Sequence, residues 1–414
     1  MTLLKPDIDP AEVGFDRARL DAMDRRLGQY VDDGRLPGWA LAVSRHGHLA
    51  HVQACGQRDM EAGLPVETDT IWRIYSMTKP LTAVTALSVW EQGGFELNDP
   101  VRWYLPAFAD VRVWRGGSAV RPVTDPVSEE LRIWHLFTHT SGLTYGFLHA
   151  HPVDALYRAA GFEWAVPAGL DLAGVCDELT RLPLLFQPGT EWNYGMSTDV
   201  LGMVVQAVTG EPFADVMSSR VLGPLGMDQT TWCVRDDGAD RLAALYTPVP
   251  RTRMAKRNDA MGAGARHEPT ATLGGGGLCS TLGDYVRFAA MLRGRGELDG
   301  TRVLAPRTVD YMASNHLPGN ATLSEFGRPL FAETTFEGVG FGLGVSVTTD
   351  PVQAKVPGNV GDFGWGGAAS TTFWVDPVLD MTVVFMTQLL PSDTHPLRSQ
   401  LKQLVHAALV DPAR

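Results

Sequence analysis

Strand-forming runs stand at the two ends of this chain and helical spacings fill its middle, and no other feature constrains the fold as much. Near the start, Trp39-Ala40-Leu41-Ala42-Val43-Ser44 and His48-Leu49-Ala50-His51-Val52-Gln53-Ala54 flank Arg45-His46-Gly47, which predicts a β-hairpin with glycine at its turn. Near the end, residues 340–347, 370–375 and 381–386 predict three more strands, and a further one is expected over 70–74. From Leu97 to about Ala243 the pattern is helical, with loops that contain Pro and Gly. Helices are expected over 130–139, stopping at Thr140-Ser141-Gly142, and over 199–208, stopping at Thr209-Gly210. A sheet fed from both ends implies an α/β (α+β) fold: a discontinuous domain, 1–96 and 270–414, wrapping an inserted, mostly helical one, 97–269.

Outer helices complete the frame. Leu20, Met23, Leu27 and Tyr30 recur at helical spacing within 16–32. Thr281 and Asp284 are spaced as a capping box for a helix through Leu292, and a last helix is expected over 396–409. Residues 247–270 are polar and irregular and read as a loop.

With 414 residues, 44% of them apolar and 20% charged, the chain can bury a sizeable core. A formal charge of -12 argues against nucleic acid or an anionic membrane surface as partner. Residues 1–10 lack a long apolar stretch and a small-residue cleavage site, and no later run reaches membrane-spanning length, so a cytoplasmic location is expected. Cys55, Cys176, Cys233 and Cys279 are widely spaced with no C-x-x-C pair, which suggests neither a zinc site nor a disulfide framework.

Ser76-Met77-Thr78-Lys79 lies where a helix should begin, ahead of apolar Leu81, Val84, Leu87 and Trp90 and a stop at Gly93-Gly94. Positions i and i+3 share one helical face, so a hydroxyl and an amine come together at a helix N-terminus. Serine becomes a nucleophile when a neighbour takes its proton, and a lysine of lowered pKa can do so. Taken alone, the four residues also fit an N-capping serine followed by a solvated lysine.

Two segments bear on that choice. Pro188-Gly189-Thr190-Glu191-Trp192-Asn193-Tyr194 presents a tyrosine just before a helix, and Phe363-Gly364-Trp365-Gly366-Gly367-Ala368 is a strand end that another backbone can approach closely. With Ser76 and Lys79, in this order, they resemble the serine β-lactamase and penicillin-binding-protein superfamily, in particular its class C branch and the related family VIII carboxylesterases. The resemblance spans nearly the whole chain, including His135-Leu136-Phe137-Thr138-His139-Thr140-Ser141-Gly142-Leu143.

The resemblance implies a class C β-lactamase-like fold, an antiparallel sheet flanked by helices plus the inserted domain, with the active site in the cleft between. It implies Ser76 as acylated nucleophile, Lys79 as its partner and Tyr194 as the base that takes or relays the proton, its pKa lowered by neighbours. The backbone N–H groups of Ser76 and Ala368 would form the oxyanion hole, and Trp365, Gly366 and Gly367 would line the substrate. Asp199, just past one helical turn from Tyr194, is a further pocket candidate beside a capping or surface role.

The chain departs from penicillin-directed members in two places. Met196 stands where their asparagine would be, and Trp365-Gly366-Gly367 replaces Lys-Thr-Gly. Tryptophan offers an apolar wall in place of a cation for a substrate carboxylate. Ester hydrolysis of short, uncharged substrates is therefore expected, without cofactor or metal, with a β-lactamase or D,D-peptidase, an acyltransferase and a non-catalytic ligand-binding relative as alternatives. Substrate identity and oligomeric state are not readable.

Competing motifs are weaker. His135 and His139 share the i, i+4 spacing of a zinc helix but lack its glutamate. Gly274 to Gly277 lack the Lys-Ser/Thr of a phosphate loop and read as a tight backbone crossing, and no serine lies in G-x-S-x-G.

Overall fold

A computed structural model describes residues 4–164 and 166–413; residues 1–3, part of the start read above, lie outside it. Eight antiparallel strands form the main sheet, in the spatial order Val339–Phe341, Ser346–Thr348, Phe363–Gly366, Thr372–Asp376, Met381–Thr387, Gly38–Arg45, His48–Asp59, Leu64–Pro65. The first and last parts of the chain meet at its centre, where Ala40 pairs with Met386 and Ala42 with Val384. The fold is thus the expected mixed α/β arrangement, an antiparallel sheet flanked by helices.

Side-chain alternation builds two cores from one sheet. Trp39, Leu41, Val43, Val383 and Phe385 point to one face and pack on Leu20, Met23, Leu27 and Tyr30 of helix Arg17–Asp32 and on Leu397, Leu401 and Val405 of helix Leu397–Ala408. Ala40, Ala42, Val384 and Met386 point to the other and join the larger core with helices Thr78–Trp90 and Leu282–Arg293. Phe288 and Ala289 of the latter helix are buried in this same core. Each buried Leu, Val or Phe contributes roughly 1.5–3 kcal/mol.

The Asp16 side chain caps the first of these helices by accepting from the Arg19 N–H at 2.8 Å. His46 and Gly47, with φ of 54° and 82°, make the left-handed hairpin turn expected between the first two strands.

Several expectations are corrected. The 130–139 helix shrinks to Ile133–Phe137, because His139 takes φ 55° and turns the chain before Gly142. The run 340–347 is two strands joined by a turn in which Gly342 donates to Val345 at 2.8 Å and Gly344 has φ 85°. Residues 71–73 do form a strand, but it pairs with Cys279–Thr281 outside the main sheet. Within 247–270 lie the second strand of a short ribbon, Ala255–Arg257, and a helical turn, Asp259–Gly262. Thr281 caps its helix by accepting from the Asp284 N–H at 3.2 Å, but the Asp284 carboxylate turns away to Gln229 and Thr230, leaving half a capping box.

No described helix is long and apolar enough to cross a membrane.

Candidate active site

The chain approaches Ser76 through a strained step. Tyr75 has φ 44°, rare for a side-chain-bearing residue, and begins a 3-10 turn over Tyr75–Met77 that runs into helix Thr78–Trp90. Ser76 therefore sits one turn ahead of the regular helix, free of a capping role. That helix is buried on every side from Thr78 to Val89, which places Lys79 wholly inside the protein.

A buried lysine needs partners, and three are at hand. Lys79 Nζ donates to the Gly275 carbonyl at 2.7 Å, to the Tyr145 hydroxyl at 3.0 Å and, more loosely, to Ser76 Oγ at 3.4 Å. Burial lowers its pKa to about 8, against the opposing charges of Asp199 and Glu333. Tyr194 comes from the loop before helix Ser197–Thr209, and its hydroxyl donates to Ser76 Oγ at 2.6 Å. Lys79 Nζ also lies 4.7 Å from the centre of the Tyr194 ring. The structure thus brings Ser76, Lys79 and Tyr194 together.

The Tyr194 phenol differs from expectation in one respect. Burial, with Glu333 adding to it, pushes its pKa well above the ordinary value. It is held as a neutral phenol, donating to Ser76.

Asp199 is buried behind Lys79. Its Oδ1 accepts the Gly275 N–H at 2.8 Å, and burial pushes its carboxyl up, with Lys79 foremost among the groups opposing. The glycine run is the tight crossing expected of it: a Cβ on Gly274 would stand 2.4 Å from the Thr198 carbonyl oxygen, and one on Gly275 2.4 Å from Asp199 Oδ2. Only bare backbone fits between the two helices.

Opposite, strand Phe363–Gly366 delivers the glycine turn. A Cβ on Gly367 would lie 2.3 Å from the Ile74 carbonyl oxygen, so the turn is pressed against the backbone leading to Ser76. The next N–H, that of Ala368, has no hydrogen-bond partner among the described residues. Trp365 is buried, its ring centre 5.5 Å from that of Tyr194 and 5.3 Å from that of Phe341. Met196, in the place of the family's asparagine, is buried as well.

His139 packs beneath Tyr194, ring centres 5.2 Å apart, and burial drives its pKa far down, so it is neutral. His135 Nδ1 accepts the Arg132 N–H at 3.0 Å, and burial lowers it to about 4.

Tyr145 was not singled out by sequence. Besides binding Lys79 it stacks on Phe147, ring centres 4.8 Å apart, which stacks in turn on half-exposed Trp164 at 4.4 Å. A tyrosine between Thr144 and Gly146, shortly after Thr140-Ser141-Gly142, was the available signal.

A serine three residues from a buried lysine, a phenol on the serine oxygen and a glycine strand beside them define the serine β-lactamase and penicillin-binding-protein superfamily. The chain belongs to its Beta-lactamase family, whose sequence profile matches residues 23–407. Protein Rv1367c of Mycobacterium tuberculosis (strain ATCC 25618 / H37Rv) is 35% identical over 90% of each chain. Esterase EstB of Burkholderia gladioli is 30% identical over 97% of this chain and 98% of its own. Among solved structures, EstCE1, described as a hydrolase with promiscuous acyltransferase activity, superposes with a TM-score of 0.79 at 26% identity, over 95% of this chain and 99% of its own. These relatives support a hydrolase or acyltransferase of the β-lactamase fold.

Proposed function

We propose that the protein is a serine carboxylesterase, akin to the family VIII enzymes, that hydrolyses short-chain, uncharged esters through an acyl-enzyme on Ser76. The observation that carries this is the 2.6 Å contact of the Tyr194 hydroxyl with Ser76 Oγ beside a Lys79 whose pKa is lowered to about 8.

Environments that drive two pKa values apart assign the acid and the base. Neutral Lys79 takes the Ser76 proton as Oγ attacks the ester carbonyl. Tyr194, kept protonated by burial, gives its proton to the leaving alkoxide as the C–O bond breaks, and the Lys79 ammonium returns a proton to the phenolate. Water then attacks the acyl-enzyme with Lys79 taking its proton, Tyr194 protonates Ser76 Oγ as the acid leaves, and the Lys79 ammonium again restores the phenol. The N–H groups of Ser76 and Ala368 hold the carbonyl oxygen as it gains charge. Trp365, Gly366 and Gly367 supply an uncharged wall, while Asp199 and Tyr145 fix Lys79. No step calls for a cofactor or metal.

In this reading the cleft lies between an inserted unit, 97–269, and the discontinuous remainder, 1–96 and 270–414. We place the protein in the cytoplasm, free of membrane and nucleic acid, a point that cell fractionation tests.

A fluorophosphonate probe should label Ser76 and abolish turnover of p-nitrophenyl acetate; a wild-type protein that resists labelling sinks the acyl-enzyme and revives a ligand-binding relative. A second reading, transfer of the acyl group to an alcohol, draws on the acyltransferase activity in the description of EstCE1. Product analysis with added alcohol separates it from hydrolysis, and nitrocefin turnover measures any β-lactamase side activity.

A further inference from the structure

The glycine turn that carries Ala368 is braced from behind by a buried ion pair outside the serine, lysine and tyrosine set. The Glu333 side chain is 0% exposed, and its Oε2 accepts from the Arg398 guanidinium and, at 3.0 Å, from the Ser392 hydroxyl. Arg398, 26% exposed, starts helix Leu397–Ala408, and its Nη2 donates also to the Gly367 carbonyl at 3.2 Å and reaches the Thr371 carbonyl at 3.5 Å. Those two carbonyls belong to one turn, in which Gly367 N–H donates to Thr371 O at 2.9 Å and Ser370 N–H to Gly367 O at 2.9 Å.

The fit is close. A Cβ on Gly366 would stand 2.2 Å from Arg398 Nη2, so the middle glycine of Trp365-Gly366-Gly367 makes room for the guanidinium. On the other side the Ile74 carbonyl presses on Gly367. The turn is held between arginine and the backbone ahead of Ser76, and the Ala368 N–H is left without a hydrogen-bond partner among the described residues.

Stability explains this pair poorly. Removing two charges from water costs several kcal/mol per ion before their attraction is counted, and apolar replacements of such pairs are often neutral or better. Fixed geometry explains it well: a planar guanidinium locked by a carboxylate holds its other N–H bonds in fixed directions, which a flexible lysine does not.

We propose that Arg398 and Glu333 are positioning residues for the oxyanion hole: Arg398, held in place by Glu333, pins the Gly367 and Thr371 carbonyls so that the Ala368 N–H faces the carbonyl oxygen of an ester at Ser76. The proposal rests on the acyl-enzyme reading above. It adds residues from the loop before Val339–Phe341 and from the last helix to a site otherwise built on Ser76, Lys79 and Tyr194.

The test compares Arg398→Ala, Arg398→Lys and Glu333→Gln with wild type, using kcat per site titrated with fluorophosphonate, KM for p-nitrophenyl acetate, and the rate of phosphonylation, whose P–O group occupies the oxyanion hole. Removing one oxyanion donor costs about 10²–10³-fold. A misaimed one should cost less, so Arg398→Ala is expected to lose roughly 10–100-fold in kcat and in phosphonylation rate with KM within about twofold. Arg398→Lys and Glu333→Gln should fall between, and Glu333→Gln/Arg398→Ala should be no worse than Arg398→Ala alone. Kcat per titrated site within twofold of wild type in the folded variants, or a loss confined to KM or to melting temperature, overturns the proposal. Should Arg398→Ala fail to fold, the two conservative variants decide by the same readings. Wild-type protein that fails to label at Ser76 refutes the acyl-enzyme and is told apart from this result.

Discussion

Ser76 stands between two walls built on opposite principles. On the helical side, titratable side chains meet in a dry interior: Lys79 joins Tyr145, Gly275 and Ser76, Asp199 stands behind it, and Tyr194 donates to Ser76. On the strand side, side chains are largely missing, and Gly366 and Gly367 let Arg398 and the Ile74 carbonyl close on bare backbone. The first wall works through ionisation, because burial pushes the lysine down and the phenol up. The second works through shape, since a backbone N–H has no pKa to tune and must be aimed. Substitutions in the first should therefore alter pH dependence, and those in the second should lower rates at every pH, except at Glu333, whose charge also raises the Lys79 pKa.

The sharpest way to break the contrast is Lys79→Ala, which removes the proposed base and leaves Tyr145 and Asp199 facing an empty space. Loss of a residue that works as part of a catalytic unit costs on the order of 10⁴-fold or more in kcat. Wild-type kcat should rise with pH through about 8 as Lys79 loses its proton, because the neutral amine is the base. A flat profile from pH 6 to 10 would remove Lys79 from that role. Next in size, Tyr194→Phe should lose about 10²–10⁴-fold, the usual range for a general acid, while circular dichroism shows a native fold. The missing hydroxyl is the one that donates to Ser76 Oγ, so wild-type turnover in that variant would exclude the phenol from proton transfer.

How legible each wall is in the sequence follows from the same physics. Ser76, Lys79 and Tyr194 meet where local rules place them: one helical turn joins the first two, and a Pro-Gly turn precedes the third. Tyr145 was not found as a lysine partner because that contact spans 66 residues. Glu333 and Arg398, 65 residues apart, were equally hidden. Helix Arg17–Asp32 was read correctly to its buried positions because one face meets water. Helix Thr78–Trp90 was read as a helix but not as one enclosed on all sides, since its small Thr and Ala residues hide how much is buried. Residues 340–347 satisfied a strand pattern throughout, and the turn inside is revealed by the Gly342–Val345 hydrogen bond and the φ of Gly344. Asp199 was found by spacing, yet its place behind Lys79 depends on Gly275, which no local pattern links to it.

The strand wall is tested by Gly367→Ala. The added Cβ would meet the Ile74 carbonyl and Thr371 Oγ1, each at 2.3 Å, so the turn must shift. We expect about 1–3 kcal/mol of lost stability and roughly a 10²-fold lower kcat, with the pH profile unmoved. A shifted profile would show that the two walls are coupled. Asp199→Asn makes the reverse test, since the Asp199 charge raises the Lys79 pKa and its removal should carry the rising limb to lower pH.

The smallest expected effect concerns what the strand wall admits. Trp365 is buried against Tyr194 and Phe341. Trp365→Lys introduces an amine where penicillin-directed relatives carry one, but at a buried position, where desolvation lowers its pKa and weakens its charge. The variant should lose activity on neutral esters through the lost wall, while kcat/KM for a carboxylate-bearing ester relative to a neutral one rises by no more than about tenfold, equivalent to one weak ion pair. Measuring that ratio at pH 6 and pH 9 separates charge from shape: a protonated lysine favours the anionic ester only at the lower pH. A ratio equal to wild type at both values would show that Trp365 does not set the proposed preference for uncharged acyl groups.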